Sequence, residues 1–353
     1  MMDGILKNEE RAILTLRGLY RRYGYAPYKM SRFEEYDLYV HNKDFLASDQ
    51  IITFSGDRGR LLALKPDVTL SIVKNAPEAP GVVQKVYYNE NVYRDYREIM
   101  QAGLEAVGDL TDYEIAEVVI LAVKSLELLG NPHVLDISHV GLVSAVLSSC
   151  GLEAGQKTRA MELLRRKNAH ELKALCGENA AGWEKLEALL NCRKLEQLEE
   201  VLTEQTEKLA LEELKKLWKI LELSGCADAV RLDFSVGSDL RYYSGVVFRG
   251  YLAGIPTSIL SGGQYDKLPQ KMGRKARAIG FAIYVDLLQE LHPEANGFQV
   301  DTLILHDGSV DTAVLTEAAA KASETGTVLV SRTIPTGRSY RQIIRYEKGA
   351  RSE

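Results

Sequence analysis

Three groups of polar side chains interrupt otherwise apolar stretches of this sequence. They are Lys65-Pro66-Asp67-Val68-Thr69, then Arg94 with Arg97, Gln101 and Glu105, and finally Tyr242-Tyr243 followed by Gly262-Gly263-Gln264-Tyr265-Asp266. A polar group within an apolar strand needs a hydrogen-bond partner or a ligand to be tolerated there. Each group is therefore a candidate binding or catalytic site.

The spacing of these residues predicts which side chains share a face. Gln101, Gly103 and Glu105 are two residues apart, so on one strand all three point to the same side. The same spacing in an extended segment would bring Asp67 and Thr69 to one side. The combined site would offer two carboxylates, one amide and the tyrosine hydroxyls.

That set of groups suits a small cationic ligand with several hydrogen-bond donors, such as an amino acid with its ammonium group. An interior polar network that is closed on itself would explain the same residues equally well. Spacing alone does not distinguish the two interpretations.

The elements that would position these groups can be predicted from periodicity. Residues 5–24 have helical spacing, and GDRG at 56–59 is typical of a hairpin turn. Residues 82–92 and 101–107 alternate as two strands, and the charged stretch between them predicts a loop. Residues 112–129 predict a helix that ends at Gly130.

The remainder of the chain predicts a helical segment, then strands again, and finally a small α/β unit. Leucines at helical spacing predict an all-helical segment over 139–225, whose charged faces are solvated helix surfaces. Strands return over 230–260, with a turn predicted at Gly262-Gly263, and 276–288 predicts a strand that enters a helix. The last 55 residues predict a small α/β unit of two strands and two helices, the final helix being basic.

Composition sets the class of protein. The chain has 353 residues, 46% hydrophobic and 26% charged, with a net charge of -5 that gives no general attraction to nucleic acid. The four cysteines and six histidines lack metal-ligand spacing, and GxGxxG and GxxxxGK[ST] are absent, so we expect no metal, no cofactor and no phosphate loop. No membrane segment or signal peptide is predicted, which indicates a cytoplasmic protein.

Hairpins covered by helices indicate an α+β fold rather than a dehydrogenase or P-loop fold.

Five segments occur in the order KPDVT, VYRDYREIMQAGLEAVGD, LRYYSGVVF, SGGQYDKL and GFAIYVDLL, and together they resemble motifs of class II histidyl-tRNA synthetases. KPDVT stands where that family has a related Arg-Pro-Glu-Gly-Thr stretch, VYRDYREIMQAGLEAVGD resembles its motif 2, and GFAIYVDLL resembles its motif 3. LRYYSGVVF and SGGQYDKL resemble its two histidine-recognition motifs. The resemblance covers about residues 5–291 and implies an antiparallel class II core over 1–138 and 226–295, a helical insertion over 139–225, and a truncated anticodon-binding-like unit over 299–353.

The departures from the family concern nucleotide chemistry. The phosphate-binding arginine and the glycine of motif 3 correspond to Leu287 and Tyr284, and the arginine of the first histidine motif corresponds to Ser238. The motif 2 loop between Arg94 and Gln101 holds only six residues. Adenylation needs cationic donors on the developing phosphate charge, so we expect none.

By the same resemblance, the groups that recognise histidine remain: Asp67, Thr69, Gln101, Glu105, Tyr242 and Tyr243, with support from Arg94, Arg97, Gly262, Gly263 and Tyr265. This pattern resembles the regulatory subunits of ATP phosphoribosyltransferase, which act with a short-form catalytic subunit in histidine biosynthesis. It implies a noncatalytic homodimeric building block that binds histidine and a catalytic partner, but no tRNA. The alternatives are an active synthetase or related amino-acid ligase, and a scaffold whose pocket is closed.

Overall fold

The computed structural model describes residues 6–46, 50–130, 132–236, 242–290, 298–347 and 350–352. The chain divides into two compact units, Met1–Leu291 and His292–Glu353. The finer division of the first unit into a core and an insertion stays a prediction. No helix in the described part of the chain is long and apolar enough to cross a membrane.

The first unit combines a large sheet, a small sheet and helices. Its strands are β1 (Ala26–Pro27), β2 (Phe33–Glu35), β3 (Thr53–Ser55), β4 (Leu61–Leu64), β5 (Val83–Arg94), β6 (Arg97–Gly108), β7 (His133–His139), β8 (Val230–Leu232), β9 (Val246–Leu252), β10 (Leu260–Gln264) and β11 (Arg277–Tyr284). Its α-helices are α1 (Asn8–Arg22), α2 (Tyr36–Val40), α3 (Thr69–Asn75), α4 (Asp112–Leu129), α5 (Val140–Ser149), α6 (Ala154–Arg165), α7 (Ala169–Cys176), α8 (Ala180–Asn191), α9 (Glu196–Glu199), α10 (Gln205–Leu223) and α11 (Lys267–Lys271). Short 3₁₀ helices lie at Lys43–Phe45, Asp57–Gly59, Ala227–Ala229 and Val285–Glu290.

The large sheet has eight strands in the order β1-β5-β6-β11-β10-β9-β7-β8. Its neighbouring strands are antiparallel except for the outer pairs β1/β5 and β7/β8, which are parallel. A sheet dominated by antiparallel pairs with helices packed on it is the predicted α+β arrangement. A separate three-stranded sheet, β2-β4-β3, includes the predicted GDRG hairpin.

Helix α4 shows how local sequence fixes an element against this sheet. The Thr111 hydroxyl accepts the Tyr113 backbone N–H at 3.2 Å, and Glu114 accepts the Thr111 backbone N–H at 2.8 Å, so the first turn is capped from both sides. The helix ends at Leu129, before Gly130 as predicted. Its buried apolar residues join the main core between the sheet and α1.

The motif 2 segment is a hairpin rather than two strands with a six-residue loop. β5 runs to Arg94 and β6 starts at Arg97, so only Asp95 and Tyr96 form the turn. Both have positive φ, 50° and 59°, which is the two-residue turn that follows the twist of antiparallel strands. Of the charged side chains that predicted a loop, Asp95, Arg97 and Glu98 are exposed at the end of the hairpin, whereas Arg94 lines a cavity.

Two further predictions of local structure were wrong. The KPDVT segment is not extended, because Thr69 begins α3 and the Asp67 carboxylate accepts the Leu70 backbone N–H at 2.9 Å. Gly262 and Gly263 lie within β10 rather than in a turn. A Cβ on Gly262 would lie 2.4 Å from the Gly280 carbonyl oxygen, so the glycine is needed for close strand packing.

The second unit contains β12 (Val300–His306), α12 (Thr312–Ser323), β13 (Val328–Ser331), β14 (Tyr340–Glu347) and β15 (Ala350–Ser352). Its sheet has the order β13-β12-β14-β15. The predicted final helix is instead the strand pair β14 and β15. β14 pairs in parallel with β12, which completes the hydrogen bonding of that central strand, and its isoleucines and tyrosines favour a strand.

The hairpin turn predicts a stabilising substitution. Tyr96 is 80% exposed and adopts a backbone conformation that disfavours a side chain. We expect Tyr96→Gly to raise the free energy of unfolding by about 0.5–1 kcal/mol, measured by urea denaturation. Tyr96→Ala, which keeps the Cβ, is the control, and an equal gain in that variant would contradict the explanation.

Candidate functional site

A cavity of about 200 Å³ lies on one face of the large sheet. This volume is below the roughly 300–1,000 Å³ of pockets for drug-sized ligands, so the cavity suits a smaller molecule. It is lined by all six residues predicted to recognise histidine, and also by Arg94, Gly262, Tyr265 and Tyr284. The structure therefore brings together residues that come from three distant parts of the sequence.

Other predicted residues lie elsewhere. Arg97 is exposed and does not line the cavity, because it faces Arg94 directly across the hairpin and two adjacent guanidinium groups repel each other. Gly263 lies outside the cavity lining, and a Cβ at this position would lie 2.7 Å from the Tyr243 ring. Leu287 packs against the main core outside the cavity, and Ser238 lies outside the described residues.

Glu105 is the most deeply buried carboxylate of the cavity, with 2% of its surface exposed. Its Oε1 accepts the Thr69 hydroxyl at 2.9 Å, and its Oε2 accepts the Tyr265 hydroxyl at 2.5 Å. Burial raises the pKa of Glu105 to about 8, although the two hydroxyl donors oppose that rise. This raised pKa favours the protonated form of the carboxyl group at neutral pH.

Gly280 makes room for this carboxylate. It pairs directly with Glu105 across β11 and β6, and a Cβ at position 280 would lie 1.6 Å from the Glu105 Oε2. Any other residue would displace the carboxylate from its hydroxyl donors. The glycine before Phe281 is thus part of the site as well as of the sheet.

Asp67 and Arg94 form the second charged element. The Arg94 Nη2 lies 3.4 Å from the Asp67 Oδ2, and the Arg94 Nε donates to the Pro66 carbonyl oxygen at 2.5 Å. Burial raises the pKa of Asp67, while Arg94 and backbone donors lower it. Arg94 is therefore held against the segment that precedes α3.

Aromatic rings form the remaining wall. The centroids of Tyr242 and Tyr243 are 4.7 Å apart with nearly perpendicular rings, and Tyr242 also lies 5.7 Å from the rings of Tyr265 and Phe45. Burial raises the pKa of both Tyr242 and Tyr243, so their hydroxyls stay protonated. Tyrosine faces next to carboxylates attract ammonium or imidazolium groups.

The chemistry of the cavity follows from this balance of charge. Among its described lining residues, Arg94 is the one basic residue, whereas three are acidic, Asp44, Asp67 and Glu105. Such a site can neutralise a small cation and offer hydroxyl and amide hydrogen bonds. It offers little positive charge for a polyphosphate.

Sequence reasoning missed several lining residues: Asp44, Phe45, Leu46, Tyr88, Ser261, Gly280, Phe281 and Ala282. The first three come from a short segment around a 3₁₀ helix that has no motif. Tyr88 and Ser261 could have been found from alternation along their strands. Gly280 was visible within the motif 3 segment, but its role depends on the register with Glu105.

Comparisons with known proteins identify the fold and the family of this chain. The histidyl-tRNA synthetase family model matches residues 5–288. An ATP phosphoribosyltransferase regulatory subunit from Clostridium kluyveri is 31% identical over 304 residues, which cover 80% of this chain and 77% of that protein. A solved ATP phosphoribosyltransferase regulatory subunit/histidyl-tRNA synthetase from Bacillus halodurans is 26% identical with a TM-score of 0.75, over 96% of this chain and 94% of that chain.

The fold recurs at lower identity. In the ATP phosphoribosyl transferase (HisG:HisZ) complex from Thermotoga maritima, one chain is 19% identical with a TM-score of 0.62, over 78% of this chain and 97% of that chain. The fold and the site thus define a class II, histidyl-tRNA synthetase-like protein. Within that class, the chain belongs to the ATP phosphoribosyltransferase regulatory subunits of histidine biosynthesis, and an active synthetase is not favoured.

The raised pKa of the buried Glu105 carboxyl group predicts that this residue lowers the stability of the protein near neutral pH. Because the pKa of Glu105 is higher in the folded protein than in the unfolded chain, its contribution to stability is complete near pH 4 and is lost as the pH rises to about 8. Glu105→Gln removes this loss. We expect the variant to exceed the parent in free energy of unfolding by on the order of 3 kcal/mol at pH 7, with a smaller difference at pH 5.

Thermal unfolding of both proteins from pH 5 to pH 8 measures this effect. Glu127→Gln, an exposed position on α4, is the control and should show no such trend. A constant difference in melting temperature between Glu105→Gln and its parent across that range would contradict the prediction.

Proposed function

We propose that this chain is the noncatalytic regulatory subunit of a hetero-oligomeric ATP phosphoribosyltransferase and that its cavity binds free histidine as the feedback effector. The catalytic partner converts ATP and phosphoribosyl pyrophosphate into phosphoribosyl-ATP. The observation that carries the proposal is the cavity itself, which is small, acidic and aromatic, with its single described guanidinium held by Asp67 and Pro66.

Histidine matches the groups in this cavity. Its ammonium and imidazole carry donors for Glu105 and Asp67, and its ring can lie against the tyrosine wall. Gln101 lies four residues before Glu105 on the same face of β6 and can form hydrogen bonds with the remaining polar atoms of the ligand. A volume of about 200 Å³ favours an amino acid over an aminoacyl adenylate.

Several features argue against adenylation by this chain. Tyr284 lines the cavity where the resemblance expects a glycine, and Leu287 faces the core where it expects an arginine. The two-residue turn of the motif 2 hairpin leaves no loop to enclose a nucleotide. Without cationic donors for the developing phosphate charge, the transition state loses several kcal/mol of stabilisation.

A histidine pocket on a noncatalytic chain can act only through another protein. The resemblance implies a homodimeric building block, with the dimer contact near residues 5–40, that assembles with the catalytic subunit and does not bind tRNA. Regulation then needs two states of the assembly that differ in histidine affinity, and a 100-fold difference supplies about 2.7 kcal/mol. That free energy is enough to shift most of the assembly from one state to the other.

Direct titration of the chain with histidine tests the pocket. We expect Glu105→Gln and Asp67→Asn each to weaken histidine binding by at least about tenfold, since each removes one charge partner from a desolvated site. Isothermal titration calorimetry gives the affinities, and Glu127→Gln should leave the affinity unchanged. Unaltered binding in both pocket variants, with intact folding, would show that histidine binds elsewhere.

Reconstitution with a short-form catalytic subunit tests the regulatory role. Adding this chain should switch on phosphoribosyl-ATP synthesis, and histidine should inhibit the complex through this chain. Binding is reciprocal, so substrates should weaken histidine binding by the same factor by which histidine weakens theirs. Full activity and full histidine inhibition of the partner alone would contradict the proposal, and histidine-dependent pyrophosphate exchange by this chain would restore the synthetase alternative.

A further inference from the structure

A second cavity, of about 360 Å³, lies between the large sheet, the start of α4 and helix α10. Its described lining residues include none of those that line the first cavity. The floor is apolar, formed by Leu214 and Leu217 of α10 with Val246 of β9, all of which are buried. The volume falls within the range of pockets that hold small molecules.

The rim of this cavity carries balanced charge. Arg277 and Lys216 contribute the cations, and Glu213 and Asp112 contribute the carboxylates. The Arg277 Nη1 donates to the Leu110 carbonyl oxygen at 3.0 Å, and its Nε lies 3.7 Å from the Asp266 Oδ2. These two contacts orient the guanidinium, which has five N–H donors in total.

The buried His139 positions the Glu213 carboxylate on the rim of this cavity. The His139 Nδ1 accepts the Leu142 backbone N–H at 3.1 Å, so its Nε2 carries the proton and donates to the Glu213 Oε2 at 3.2 Å. His139 is 5% exposed, whereas the Glu213 side chain is 68% exposed. Glu213 is therefore anchored at one oxygen and open to a ligand on its solvent side.

We propose that this second cavity binds a zwitterionic α-amino acid with an apolar side chain. Arg277 and Lys216 would hold the carboxylate, Glu213 and Asp112 the ammonium, and the apolar floor the side chain. The balanced rim distinguishes this cavity from the first, whose lining is mainly acidic. A ligand with only one of the two charges would leave the opposite pair on the rim unmatched.

The two cavities meet at one strand. Successive residues of a strand point to opposite faces, and the end of β10 places Gln264 in the second cavity and its neighbour Tyr265 in the first. Tyr265 holds Glu105, and Gln264 donates to Asp266 at 2.5 Å. An occupant of the second cavity would thus contact the residue adjacent to the one that holds the Glu105 carboxylate.

The test uses three probes that share a phenylethyl group, namely phenylalanine, 3-phenylpropionate and phenethylamine. The first carries both charges, the second only the carboxylate and the third only the ammonium. Ligand-observed NMR with the full chain should show saturable binding of phenylalanine at concentrations up to roughly 10 mM, and binding at least about tenfold weaker for the other two. Absence of phenylalanine binding in that range would overturn the proposal. So would equal binding of either singly charged probe.

Substitutions assign the site. Arg277→Met and Leu217→Trp, which remove the guanidinium and fill the floor, should each weaken phenylalanine binding at least about tenfold. Lys219→Met, on α10 but outside the cavity, and Glu105→Gln, in the first cavity, should leave it unchanged. Glu213→Gln gives a second measure if Arg277→Met reduces the melting temperature. If phenylalanine binding is lost in Glu105→Gln and kept in Arg277→Met, phenylalanine binds in the first cavity and this proposal is refuted. That outcome would not contradict histidine binding in the first cavity, which has its own test.

Discussion

The burial of the Glu105 carboxyl group in the middle of the large sheet is the constraint on which the site depends. A buried carboxyl group is tolerated only with hydrogen-bond partners and without steric conflict. Thr69 and Tyr265 supply the partners from α3 and from the end of β10, and Gly280 removes the conflict from β11. Three separate elements are therefore arranged around a single side chain.

The same constraint separates binding from catalysis. A cavity that surrounds a carboxyl group with tyrosines can distinguish a small cation from other solutes, but it lacks the positive charge that phosphate transfer requires. Arg94 could supply such charge, yet it is held by Asp67 and by the Pro66 carbonyl oxygen. Under the proposed function, the protein keeps the amino-acid-binding part of a synthetase-like site without its adenylation chemistry.

Sequence periodicity predicted the parts of the site that lie on regular strands. Gln101 and Glu105 share a face because alternation along a strand is strict, and the capped helix α4 was equally clear. Asp67 and Thr69 line the cavity although their segment starts a helix, so the extended geometry predicted for them was wrong. Three predictions were wrong: the place of Arg97 in the cavity, the turn at Gly262-Gly263 and the final helix. Each depends on strand register and on pairing with neighbouring strands, which the local sequence does not encode.

The protonation of Glu105 also bears on how a ligand reaches the cavity. With a pKa of about 8, this group carries little charge at neutral pH, so it exerts little long-range attraction on an approaching cation. A cation that pairs with the carboxylate must exchange places with its proton, and the charge within the cavity changes little. Glu105 itself should then add little to the ionic-strength dependence of association. The discrimination among cations that it provides should arise from shape and hydrogen bonding after entry, and should affect the rate of dissociation more than the rate of association.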